Sequence, residues 1–98
     1  MILIVWEYRV KPERTEDFEI IYGPNGEWVN LFRRYPGYLN SELLRKKGEP
    51  QTYITIDRWN SEDDYHKFLF SAKEAYDRID ALCETLTIEE IKLGVFEE

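Results

Sequence analysis

Cysteine and histidine are nearly absent: the chain has one of each, Cys83 and His66. A single cysteine excludes an internal disulfide and suits a reducing, cytoplasmic setting. One of each cannot build a Cys/His zinc cluster. Basic charge is short as well: 13 Lys and Arg face 20 Asp and Glu, a net charge of −7 and a pI near 4.8. The longest basic clusters are Arg33-Arg34 and Arg45-Lys46-Lys47. They are too short to neutralise a phosphate backbone or dock on anionic lipid, so neither a nucleic-acid nor a membrane partner is expected. No long apolar run occurs. Met1–Trp6 is far shorter than a bilayer span and Glu7 follows at once. No secretion signal, internal repeat, low-complexity segment or linker is found.

What remains is a globular composition. Of 98 residues, 43% are hydrophobic and 34% charged, which supports one folded domain over residues 1–98. Aromatics reach 15%, and they provide large buried areas from few positions.

Glycine and proline act as punctuation. Met1–Val10 is β-branched and aromatic, a strand apolar on both sides over its first six residues. Pro12 with Glu13, Glu16 and Asp17 opens a helix carrying Phe18, Ile21 and Tyr22. Gly23-Pro24-Asn25-Gly26 ends it. Trp28, Leu31, Phe32 and Tyr35 then recur at helical spacing until Pro36-Gly37. Tyr38–Lys46 and Gln51–Trp59 read as a hairpin about Lys47-Gly48-Glu49-Pro50. Ser61/Asp64 and Ser71/Glu74 resemble capping boxes that open two further helices. A last strand, Ile88–Phe96, is expected to present Ile91, Leu93 and Val95 on one face.

The order β, α (broken), β, β, α (broken), β is the α+β, ferredoxin-like split βαβ plan: a four-stranded antiparallel sheet with helices on one face. Leu3, Val5, Ile54, Ile56 and the apolar residues of the last strand cannot all lie under the helices. A bare apolar sheet face on so small a chain predicts a homodimer, sheet to sheet about a two-fold axis.

Three elements carry a family resemblance: Arg58-Trp59-Asn60-Ser61-Glu62 followed by Tyr65 and Ser71; Pro36-Gly37-Tyr38 at the second strand; and Val10-Lys11-Pro12 after the first. Their order and spacing resemble the antibiotic biosynthesis monooxygenase domain. The resemblance implies a dimeric α+β barrel with a small cavity between helices and sheet. It implies oxidation of a small aromatic or quinol-type molecule by dioxygen, with no cofactor or metal. It also admits a non-catalytic small-molecule-binding or stress-associated homodimer, and an oxygen-independent isomerase. Phe68 stands where many members carry histidine. The haem-degrading branch needs an Asn and a His where this chain has Trp6 and roughly Arg78, so that branch does not fit.

Such an oxygenase needs an apolar pocket, hydrogen-bond donors and a way to stabilise a substrate anion. The expected walls are Trp6, Trp28, Phe32, Trp59, Tyr65 and Phe68, each of which could equally be core. The donors are Tyr22, Tyr38, Asn30 and Arg58, with Tyr22 and Arg58 as the catalytic pair polarising a substrate oxygen. Arg58 could instead pair with Glu7, Asp57 or a partner carboxylate. His66, four residues after Glu62, reads as an exposed surface histidine rather than a base. Cys83 lies on the apolar stripe of its helix with Ile79, Leu82 and Leu86, and reads as packing.

Overall fold

The computed structural model describes residues 1–98. Strand β1 covers Ile2–Val10 and leads through a short 3-10 turn, Pro12–Arg14, into α1, Thr15–Tyr22. Helix α2 is Glu27–Phe32. Strands β2, Tyr38–Arg45, and β3, Thr52–Trp59, form the hairpin. Helices α3, Glu62–Ser71, and α4, Lys73–Cys83, precede β4, Thr87–Glu97. The sheet order is β2-β3-β1-β4, with every neighbouring pair antiparallel. This is the expected ferredoxin-like α+β plan.

Local chemistry sets the joints. The Ser61 hydroxyl accepts from the Asp64 backbone N–H at 3.1 Å and caps α3, as its spacing predicts. The Ser71/Glu74 pattern does not cap α4. Helix α3 runs through Ser71, and Ala72 joins the two helices with no side-chain cap. Backbone bonds replace it: Ala72 N–H donates to the Phe68 carbonyl, and the Ala72 carbonyl accepts from Tyr76 N–H. Gly37 turns the chain into β2 at φ +91°, where an added Cβ would meet the Asp64 side chain at 2.5 Å.

Strand register sorts the side chains into two faces. Toward the helices point Ile2, Ile4, Trp6 and Tyr8 of β1, opposite Trp59, Asp57, Thr55 and Tyr53 of β3. Away from them point Leu3, Val5 and Glu7, opposite Arg58, Ile56 and Ile54. Strand β4 corrects one expectation. Its register slips between Val5 and Trp6, so that Gly94 pairs with Val5 and Lys92 with Trp6. Leu93 is the extra residue. The bulge turns Val95 to the side of Ile4, whereas Ile91 pairs with Glu7 on the opposite face.

The core lies between the helices and the inward sheet face. Trp59, Tyr53, Phe18 and Phe68 are its largest fully buried side chains. Each aromatic of this kind removes enough apolar area from water to contribute roughly 4–6 kcal/mol before its ordering entropy. The outward face has no cover within one chain: Leu44, Ile91 and Phe96 are 50%, 41% and 49% exposed there.

Candidate functional site

A cavity of about 650 Å³, its open mouth included, lies between the inward sheet face and the helices. Its floor is Ile4, Trp6 and Tyr8 of β1 with Thr55 and Asp57 of β3. Tyr22 of α1, with Trp28, Val29 and Phe32 of α2, closes one side. Tyr65 of α3 and Tyr76 of α4 close another, and Asp80 and Glu90, both exposed, stand at its edge. The aromatic rings form a continuous wall. Tyr22 and Trp28 have centroids 6.2 Å apart, Trp28 and Tyr76 4.8 Å, and Trp28 and Phe32 6.0 Å.

Five of the eight expected site residues meet here: Trp6, Tyr22, Trp28, Phe32 and Tyr65. Three do not. Trp59 and Phe68 are core, with centroids 4.9 Å apart and almost no exposure. Arg58 lies on the opposite face of the sheet. Strand alternation aims Asp57 and Trp59 at the helices, so the residue between them must aim away. There its guanidinium pairs with Glu42 at 3.2 Å and Glu98 at 3.4 Å, and donates to Asn40 at 3.2 Å. Its ion-pair partners are thus Glu42 and Glu98 rather than Glu7 or Asp57. Asn30 is also outside, exposed and donating to the Asn25 carbonyl. His66 is exposed, 3.9 Å from Glu62, and Cys83 is fully buried.

The polar groups inside the cavity are the part the sequence reading missed. Asp57 sits against the aromatic wall with one hydrogen bond, from the Ser41 hydroxyl at 2.7 Å. Ser41 has one proton to donate and gives it to Asp57. The Tyr38 hydroxyl, 2.8 Å from Ser41, therefore donates to Ser41. Burial disfavours the Asp57 carboxylate and pushes its carboxyl up to about 6, with the Ser41 hydrogen bond acting the other way. No Lys, Arg or His lines the cavity to offset this. Burial also lifts the tyrosine phenols: Tyr65 to about 12, and Tyr22 and Tyr8 well above their ordinary range, so all three stay protonated donors at neutral pH. The Trp28 indole N–H, buried in the same wall, has no hydrogen-bond partner. It lies near the Cys83 sulfur, but outside bonding geometry. No group of three or more acidic, His or Cys side chains is placed to hold a metal ion.

The family model described as antibiotic biosynthesis monooxygenase matches residues 1–73. The chain belongs to this family. No curated protein matches it. Among solved structures it is similar to a mutant form of SnoaB, a cofactor-independent oxygenase from Streptomyces nogalater. That match has a TM-score of 0.77 and 20% identity, covering 99% of this chain and 91% of the other. It is also similar to a conserved protein from Methanosarcina mazei Go1, with a TM-score of 0.74 and 16% identity, covering 99% and 91%. At these identities the likeness is one of fold. No helix is long and apolar enough to cross a membrane.

Proposed function

We propose that this chain binds a small planar phenol or quinol in the cavity and oxidises it with dioxygen, without a cofactor. The observation that supports this is the aromatic wall of Trp6, Trp28, Phe32, Tyr65 and Tyr76 around one partly buried carboxyl, Asp57, in a chain of the monooxygenase family. Flat apolar rings stack on such walls, and a few polar groups fix their orientation. For a phenol with a free para carbon the balance is simple. One oxygen atom of dioxygen becomes the new quinone carbonyl and the other leaves as water. That water takes its hydrogens from the phenolic O–H and the ring C–H. Tyr22, a protonated donor on the wall, orients the substrate oxygen.

The working unit is a homodimer in the cytoplasm, joined through the outward sheet face. The reading rests on the apolar ladder of Leu3, Val5, Ile54, Ile56, Leu44 and Ile91 on that face. Arg58, paired with Glu42 and Glu98, lies on the same face and serves that interface.

The test is a tryptophan-fluorescence titration with 1-naphthol and 1,4-dihydroxynaphthalene, with oxygen uptake followed on every ligand that quenches. Trp6 and Trp28 lie in the wall and report occupancy. Quenching with uptake above the spontaneous rate supports the proposal. Quenching without uptake makes the chain a binding protein, and turnover under nitrogen makes it an isomerase. No quenching removes the cavity from the account altogether.

A further inference from the structure

We propose that Asp57 is the catalytic proton acceptor, taking the hydroxyl proton of a neutral phenolic substrate bound in the cavity. The inference rests on the reading above and deepens it: it selects an uncharged phenol over an anionic aromatic, and names the group that activates it.

The geometry supports this from several sides. Of the four carboxylates that line the cavity, Glu42, Asp57, Asp80 and Glu90, only Asp57 is not exposed, and it faces the aromatic wall from β3. The structure gives it one hydrogen bond, from Ser41 to Oδ1. Oδ2 has no bond inside the protein and is not sealed from the cavity. A carboxylate in this position gains from a ligand that brings a proton donor. The groups around it are Ser41, Tyr38 and Glu42 of β2, Tyr8 of β1, Thr55 of β3, Tyr65 of α3, Tyr76 and Asp80 of α4, and Glu90 of β4. All are neutral donors or further acids. None offers a cation to an anionic ligand, and Asp80 with Glu90 at the mouth repels one.

The proton transfer is balanced within the site. The phenolic O–H bond breaks, an O–H bond forms on Asp57 Oδ2, and the electron pair stays on the ring oxygen. The resulting phenolate is the electron-rich species that dioxygen oxidises. Asp57 then returns this proton from Oδ2 to the oxygen atom that departs as water, which restores the carboxylate, while Tyr38 donating to Ser41 and Ser41 donating to Oδ1 hold the group in place. Burial supports the assignment by holding the carboxyl near neutrality, where a base is both ionised and strong enough to act.

The experiment compares the wild-type chain with Asp57→Asn and Asp57→Glu. Binding is read by tryptophan quenching with 1-naphthol and with 1-naphthoate, and turnover by oxygen uptake with 1-naphthol across pH. Asp57→Asn keeps the shape of the site and should bind 1-naphthol within about threefold of wild type while losing about 10²–10⁴ of the uptake rate. The wild-type rate should rise with pH through about 6 and level off, a titration that Asp57→Asn lacks and Asp57→Glu recovers in part. Naphthoate should bind at least about tenfold more weakly than naphthol, as expected for an anion among acids. Unchanged uptake or an unchanged pH profile in Asp57→Asn overturns the role of Asp57 and leaves the cavity reading standing. Naphthoate binding as tightly as naphthol overturns the substrate class. No quenching or no uptake in the wild-type chain overturns the oxygenase reading, and this inference with it.

Discussion

Replacing Asp57 with asparagine should stabilise the protein at neutral pH and above, by an amount that shrinks and then reverses as the pH falls toward 4. The carboxyl is raised from 3.8 to about 6 by burial, a shift of about two units. Each unit is worth about 1.36 kcal/mol, so the ionised form carries a folding cost of about 3 kcal/mol. The folded pKa lies above the unfolded one. Between the two values the native state holds a proton that the unfolded chain has lost, so stability falls as pH rises through this window. The cost is absent below the unfolded pKa and complete above the folded one. Asparagine cannot ionise and escapes it. It leaves an amide N–H₂ in the cavity, a fixed penalty of about 1–2 kcal/mol that does not change with pH. The pH dependence therefore isolates the ionisation. Urea unfolding of both proteins, at one protein concentration, should show the advantage of Asp57→Asn growing by about 2–3 kcal/mol between roughly pH 4 and pH 8. An advantage that is the same at both pH values would refute the claim that Asp57 is held in a desolvated site.

Two further outcomes follow from the fold. Leu3→Asp with Ile54→Asp places two charges on the outward apolar ladder, and sedimentation at micromolar concentration should move from about twice the 11.9 kDa chain mass to the chain mass itself; an unchanged mass would put the interface elsewhere. Gly37→Ala should cost about 1–3 kcal/mol in urea unfolding, because φ is +91° and the new Cβ meets Asp64 at 2.5 Å.

The strands, the broken helices and the hairpin were legible because each has a local cause. Pro36-Gly37 and Lys47–Pro50 are turn chemistry, and Ser61 is a cap whose partner sits three residues on. Errors arose where tertiary pairing overrode the local pattern. Nothing in Ile91–Val95 signals which residue will be extra, except Gly94, whose φ of +146° only glycine adopts readily. Ser71 looks like a cap, but the backbone bonds through Ala72 make one unnecessary.

The candidate site divides along the same line. The aromatic residues were found because large rings stand out in a small chain, yet composition alone cannot separate Trp28, which lines the cavity, from Trp59, which is sealed in the core. Arg58 and Asp57 show what a stricter use of strand period would have supplied. Tyr53, Thr55, Asp57 and Trp59 alternate along β3, and two large aromatics fix that parity as inward. The same parity sends Arg58 outward and brings an aspartate into the core layer. An acid at an inward strand position costs stability unless it is paired, and no cation faces this one. A fold that keeps such a residue gives up free energy at the point where the chemistry proposed for the cavity needs a base, which is why Asp57 rather than Arg58 is the side chain to test first.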